Sequence, residues 1–194
     1  MRAELEQLFL YDTLDKKRKP FVPDEGRPVS MYVCGVTSYD YSHVGHARVY
    51  VAFDVLVRVL QHLGREVQYV RNFTDIDDKI IARAQEKGED PLALSSRFID
   101  EFHHDMDVLG CLRPHHEPKA TDYIASMISS IESIVENGHA YSLENGDVYF
   151  DVQSLSSYGR LSRQDISKSL AGTLSTRVST VCVGCCFYAP GCQL

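Results

Sequence analysis

Met31-Tyr32-Val33-Cys34-Gly35-Val36-Thr37-Ser38-Tyr39-Asp40-Tyr41-Ser42-His43-Val44-Gly45-His46 is the stretch from which the fold can be read. Its first four residues are an apolar run ending at Gly35, the pattern of a buried parallel strand. A polar loop follows, and a helix is predicted from Ser42 to Leu63, with Ser42 as N-cap and Gly64 just past its end. Val49, Ala52, Phe53, Leu56, Leu60 and Leu63 recur along it at spacings of three and four. Tyr50, Val51, Val55, Val57 and Val59 make its other faces apolar too, which predicts an interior helix lying against a sheet. Residues 66–73 then alternate as a strand does. Strand, helix, strand over about 45 residues is a βαβ unit, expected to cross over right-handed.

Around this unit, residues 8–23 read as strand, turn, strand, with Lys16-Lys17-Arg18-Lys19 at the turn. That run is either a solvated hairpin tip or a phosphate contact. Asp77 can cap a helix to Lys87, stopped by Gly88, and Pro91 starts another to about Leu109. A further helix is predicted over 121–137. A hairpin follows, its arms 140–143 and 148–152 flanking Asn145-Gly146. Residues 165–194 carry only Asp165, Lys168 and Arg177 as charges and no period, which predicts a segment without regular structure.

The 194 residues are 44% hydrophobic and 24% charged with net charge −7, which excludes disordered and collagen-like classes. That charge also argues against holding nucleic acid through the overall field, though not against a local basic patch. No apolar run approaches the roughly 20 residues that span a bilayer. The acidic N-terminus lacks an apolar core, so no signal or transit peptide is expected, no membrane partner, and a cytoplasmic location. Of six cysteines, Cys34 and Cys111 stand apart while Cys182, Cys185, Cys186 and Cys192 crowd the end, which is not a disulfide framework.

The chemistry centres on His43-Val44-Gly45-His46. Two imidazoles three apart share one face of a helix's first turn, whose unpaired N–H groups and positive dipole end attract anions. The turn follows the first strand of a βαβ unit, where ligands bind at strand carboxyl ends. Gly45 removes a side chain and would let a flat ring such as adenine approach. The pair reads as a nucleotide-phosphate site donating hydrogen bonds to charge developing at phosphorus. A structural pair and half of a metal site remain open readings. Asp75, Asp77 and Asp78 are either magnesium ligands or local caps, the caps being favoured. His103, His104, His115 and His116 read as solvated rather than ligating.

His43-Val44-Gly45-His46 resembles the His-Ile-Gly-His signature of class I aminoacyl-tRNA synthetases. Residues 31–37, 70–80, Arg113-Pro114, 117–121, 138–141, 146–151 and 158–163 together are similar to the cysteinyl-tRNA synthetases. The resemblance implies an α/β fold, the first half of a Rossmann-like (HUP-type) parallel sheet with the start of an inserted subdomain. Its parts are expected to be a lead-in at 1–30, the half-domain at 31–110, the inserted segment at 111–164 and a divergent tail at 165–194. It implies activation of L-cysteine by ATP, with Mg²⁺, and transfer to tRNA(Cys). His43 and His46 would be catalytic, with Gly45 beside them on ATP; Gly35, Thr37 and Thr74 would surround the amino acid. Cys34 would be a Zn²⁺ ligand, the zinc selecting the substrate's thiolate over a hydroxyl.

Two departures bear on activity. Neither further zinc ligands nor the second signature, Lys-Met-Ser-Lys-Ser, has a counterpart; Ile166-Ser167-Lys168-Ser169 only echoes the latter. The chain is therefore expected to be a truncated synthetase with an unrelated tail, inactive in aminoacylation alone, with tRNA binding in doubt. Cys182-x-x-Cys185 is weak as a metal site. Two other readings are a nucleotidylyltransferase acting on another substrate and a non-catalytic binding module.

Overall fold

Short runs rich in β-branched and aromatic residues form most of the strands, and α2 and α3 begin at aspartate caps visible in the sequence. The computed structural model describes residues 8–163 and the backbone of 180–182. Val22–Ile124 gather into one compact unit; residues 8–21 and the described residues from Ala125 onward gather into a second.

In the first unit, β3 (Val29–Val33), α1 (Val44–His62) and β4 (Val67–Arg71) form the expected βαβ unit, following two strands of the second unit, β1 (Phe9–Asp12) and β2 (Lys17–Pro20). β3 and β4 pair in parallel, Val29 opposite Val67 and Val33 opposite Arg71. On its other side β4 is flanked by residues 115–120. Arg71 N–H donates to the His116 carbonyl at 3.0 Å, and Phe73 N–H to that of Pro118 at 2.8 Å. β4 is thus bonded along both edges, and Val67, Tyr69 and Arg71 are buried. The sequence reading opens the inserted segment near residue 111, but these bonds hold 115–120 beside the sheet and within the first unit.

α1 is not buried all round. Its covered face is Tyr50, Asp54, Val57 and Leu60, whereas Val44, Val51, Val55 and Val59 are exposed on the opposite side. The predicted register of Val49, Ala52 and Leu56 is displaced because Asp54 turns inward. Its carboxylate accepts from Leu112 N–H at 2.8 Å and pairs with Arg58 at 2.7 Å. Burying a paired carboxylate brings Tyr50 and Val57, its neighbours on the helix surface, inward with it.

α2 (Asp78–Lys87) and α3 (Pro91–Val108) complete the unit. Asp77 caps α2 by accepting from Lys79 N–H at 2.8 Å, and Gly88 ends it at φ 66°. Asp90 caps α3 with Pro91 in its first turn. Ile80 and Ala84 of α2 meet Leu94 and Phe98 of α3 in a dry cluster. Phe102 of α3 stands edge-on to Tyr50 and Phe73, with centroids 5.1 and 5.5 Å apart.

In the second unit β1 and β2 form an antiparallel hairpin. α4 (Ile124–Glu136) continues into this unit, and β5 (Ala140–Ser142) pairs with β6 (Val148–Asp151) across Asn145-Gly146, Gly146 at φ 87°. β7 (Thr180–Cys182) adds antiparallel to β6. This strand corrects the expectation of no regular structure after residue 165; the rest of that segment lies outside the described residues. No helix among the described residues is long and apolar enough to cross a membrane.

Candidate active site

Past β3 the chain presses against β4 so closely that position 35 tolerates no side chain. A Cβ there would lie 1.4 Å from the Asn72 carbonyl oxygen. The Gly35 N–H in turn donates to Asn72 Oδ1 at 2.8 Å. The parallel pairing is then renewed through Thr37 and Thr74, with Thr74 N–H donating to Val36 at 3.0 Å and Ser38 N–H to Thr74 at 3.2 Å. Ser38 is buried and shares a 2.6 Å hydrogen bond with Ser95 of α3. The loop is therefore fixed at both the sheet and a helix.

From this loop the chain enters α1 through a cap made of imidazoles. His43, not Ser42, is the N-cap, a correction to the sequence reading. His43 Nδ1 accepts from Gly45 N–H at 3.0 Å, and His46 Nδ1 accepts from His43 N–H at 3.1 Å. An imidazole reaches N–H groups two and three positions away as a short polar side chain does in a capping box. Two of the amides expected to await an anion are thus already bonded. Both Nδ1 atoms act as acceptors, so each neutral ring carries its proton on Nε2 and has that donor to offer. The rings lie 4.0 Å apart, tilted by 33°. Burial, with His43 adding to it, holds the His46 pKa below the usual histidine value of 6.5. A Cβ at position 45 would also meet the His43 ring at 2.7 Å, so the glycine leaves room for the imidazole cap.

These groups border a cleft of about 420 Å³. Of the residues expected at the site, Gly35, Thr37, His43 and His46 line it. Thr74 is held against Thr37 by the strand pairing, and Cys34 precedes Gly35 at the end of β3. Sequence reasoning missed Lys79, Asp40, Tyr39 and Phe102, all in the lining. The Lys79 ammonium stands 5.7 Å over the Tyr39 ring, and Asp40 pairs with Arg83 at 3.1 Å. The signal for Lys79 was the Asp77-Asp78-Lys79 run, which sets the lysine in the first turn of α2 after its capping aspartate.

Cys34 has an exposed thiol, and its carbonyl accepts from the Tyr50 hydroxyl at 3.1 Å. Burial pushes the Tyr50 pKa well above its usual value, so this donor stays protonated. Among the described residues no three His, Cys, Asp or Glu side chains converge where a metal could bind. One thiolate cannot supply a tetrahedral zinc site. The described residues therefore do not fit zinc on their own.

Behind the cleft lies a buried charge that the sequence reading did not single out. Arg71, 1% exposed, pairs with Glu117, which accepts or shares a proton with His103 Nε2 at 3.0 Å. The guanidinium also lies 4.7 Å from the Phe102 ring centre and 5.0 Å from that of Tyr50. Desolvation lowers the His103 pKa. His103 is thus no freely solvated histidine, whereas His115 is exposed as expected, its Nδ1 accepting from Tyr69 N–H at 3.0 Å. Asp75 is structural as well, taking Thr121 N–H at 3.0 Å and the Thr121 hydroxyl at 2.5 Å.

The family model for the class I (C) tRNA synthetase catalytic domain matches residues 20–179. Among curated relatives, the chloroplastic/mitochondrial cysteine–tRNA ligase of Arabidopsis thaliana is 53% identical over 86% of this chain and 30% of its own length. The cysteine–tRNA ligase of Anaeromyxobacter sp. (strain K) is 53% identical over 84% of this chain and 34% of its own. The chain thus spans about a third of the length of these relatives. The Agrobacterium radiobacter K84 LeuRS–tRNA–LeuAMS complex shares the fold, at TM-score 0.50 and 18% identity over 69% of this chain and 19% of that one.

Proposed function

Because the chain belongs to the class I (C) tRNA synthetase catalytic-domain family, that of the cysteine–tRNA ligases, we propose that its first cleft is the ATP and cysteine half-site of cysteine activation. The observation that carries this reading is the imidazole cap, with both Nδ1 atoms occupied by backbone N–H groups at 3.0 and 3.1 Å. Each ring is thereby fixed as an Nε2–H donor beside the cleft. The low pKa of His46 keeps it neutral at pH 7, so it binds phosphate as a hydrogen-bond donor rather than as a cation.

In the proposed reaction a carboxylate oxygen of cysteine attacks the α-phosphorus of ATP. The bond from that phosphorus to the bridging oxygen breaks, and pyrophosphate leaves with the electron pair. His43 and His46 hold oxygens whose charge grows as that bond lengthens, and Lys79 is placed to neutralise the phosphates. Gly35, Thr37 and Thr74 form the wall for the amino acid. In the second step a ribose hydroxyl at the 3′ end of tRNA(Cys) attacks the adenylate's carbonyl and AMP departs. Mg²⁺ accompanies ATP as part of the substrate. A zinc ion at Cys34 requires ligands beyond the described residues, and no step is routed through it. Free thiols at Cys34 and Cys111 suit a reducing compartment, which supports a cytoplasmic setting.

The test is ATP binding by the 194-residue chain, measured by equilibrium dialysis for wild type and His43→Asn. Asparagine is a good N-cap, so the helix start survives while the Nε2 donor is lost. The affinity should fall about tenfold, one hydrogen bond to a charged group, with an unchanged melting temperature. Equal ATP affinity in the two proteins refutes the role. Exchange of labelled pyrophosphate into ATP, with and without cysteine, reports whether this chain completes the first step.

A further inference from the structure

The peptide unit joining Cys34 to Gly35, where β3 ends, is held from two sides. Its N–H, that of Gly35, donates to Asn72 Oδ1 at 2.8 Å. Its C=O, that of Cys34, accepts from the Tyr50 hydroxyl at 3.1 Å. Both polar groups of one peptide unit are thus bonded to side chains. Backbone pairing with the β4 side returns at Val36, whose carbonyl accepts from Thr74 N–H at 3.0 Å. The two side chains come from different places: Asn72 directly follows β4, and Tyr50 lies on α1, one turn on from His46.

Neither side chain is free to drift. The Tyr50 ring is buried, edge-on to Phe102 with centroids 5.1 Å apart, and the Arg71 guanidinium lies 5.0 Å from its centre. Arg71 is buried in turn and paired with Glu117, which His103 meets at 3.0 Å. A ring packed on these sides keeps its hydroxyl in one place. Asn72 is fixed by its own backbone, since its carbonyl is the group pressed against Gly35. The two ends of the cleft are also supported separately. The imidazole cap rests on hydrogen bonds within residues 43–46, and neither Tyr50 nor Asn72 takes part in them. Gly35 and Thr37, by contrast, line the cleft directly after the held peptide.

We propose that Tyr50 and Asn72 are positioning residues: by clamping the Cys34–Gly35 peptide they set the amino-acid end of the cleft and leave its nucleotide end to the histidine cap. This rests on the cysteine-activation reading of the site. Neither side chain is among those lining the cleft, so each acts through the backbone it holds. Releasing either bond lets the peptide plane turn, which moves Gly35 and the start of the Val36–Thr37 wall while His43 and His46 stay in place. A shift of about 0.5 Å in such a wall is enough to weaken recognition.

The experiment compares the full chain with Tyr50→Phe, which removes one hydroxyl and keeps the ring, and with Asn72→Ala and Asn72→Asp. Hydrogen–deuterium exchange without ligand reads the clamp. In Tyr50→Phe and Asn72→Ala the amides of residues 34–37 should exchange roughly fivefold faster, the loss of one hydrogen bond, while those of α2 and α3 keep their rates. The melting temperature should fall by about 4 °C at most. Equilibrium dialysis then reads the site with two probes, ATP and cysteinyl-sulfamoyl adenosine, a stable analogue of the adenylate. Both variants should bind the analogue roughly fivefold more weakly and ATP within about twofold of wild type. Asn72→Asp keeps an acceptor oxygen and should match wild type within about twofold on both probes. Unchanged exchange at 34–37 in Tyr50→Phe overturns the proposal, as does an equal loss of ATP and analogue affinity. Asn72→Asp behaving as Asn72→Ala overturns the part given to Asn72. A wild-type chain that binds neither probe refutes the activation reading instead, and the ligand-free exchange comparison then decides the clamp alone.

Discussion

Gly35→Ala isolates the contact that shapes the site. The new methyl would stand 1.4 Å from the Asn72 carbonyl oxygen and 2.6 Å from its carbon, both backbone atoms that cannot rotate away. Restoring even a 3.0 Å approach moves the chain by about 1.6 Å, an overpacking strain of about 1–3 kcal/mol. The shift also breaks the Gly35 N–H bond to Asn72 and strains the Val36–Thr74 and Ser38–Thr74 bonds, adding about 1 kcal/mol for each one lost. A loss of about 3–4 kcal/mol lowers the melting temperature by about 6–16 °C in a chain of this size. Gly64→Ala is the internal control. Gly64 has φ 75° but open space around its would-be Cβ, so alanine there meets left-handed strain alone, about 1 kcal/mol. Thermal unfolding of both variants by circular dichroism decides the matter. If Gly35→Ala melts no lower than Gly64→Ala, the close approach does not govern this site and the reasoning from Gly35 fails.

Three other outcomes are expected. Gly45→Ala should leave the melting temperature within about 3 °C, because the His43 ring can turn aside, while ATP affinity measured by dialysis drops as the cap opens. Arg71→Met should destabilise by about 3 kcal/mol in urea unfolding by removing the guanidinium from Glu117 and leaving it only His103, and adding Glu117→Gln should recover part of that loss. His46 and His103 both have folded pKa values below 6.5, so the unfolded chain binds their protons first. Their contribution to stability is complete above pH 6.5 and is lost as the pH falls through the folded values. NMR titration should place both midpoints under 6.5, and a midpoint above it for either ring contradicts the assignment.

Local chemistry made much of this protein legible from its residues. Asp77 and Asp90 before helical runs, Gly88 after one, and Asn145-Gly146 between alternating strands each act on neighbours a few positions away. A reader of the chain can therefore find them. The His-Val-Gly-His turn was found for the same reason, although its cap is made by His43 rather than Ser42, since an imidazole is rarely considered for that position. The register of α1 was missed because Asp54 is drawn inward by Leu112, 58 residues away. His103 is misread likewise, its partner Glu117 lying on a separate segment beyond the end of α3.

The sequence by itself determined the βαβ order, the starts of α2 and α3, the family and the residues of the nucleotide turn, all of which depend on spacing along one chain. Only the tertiary structure decided which face of α1 is covered, that Gly35 is demanded by the Asn72 carbonyl, and that Lys79 joins the histidines at one cleft. It also joined Arg160 and Arg163 to a hairpin turn nearly 150 residues earlier. Side-chain spacing records what a segment can bury. Which partner satisfies a buried charge, or whose backbone approaches a glycine, depends on atoms that folding brings from elsewhere.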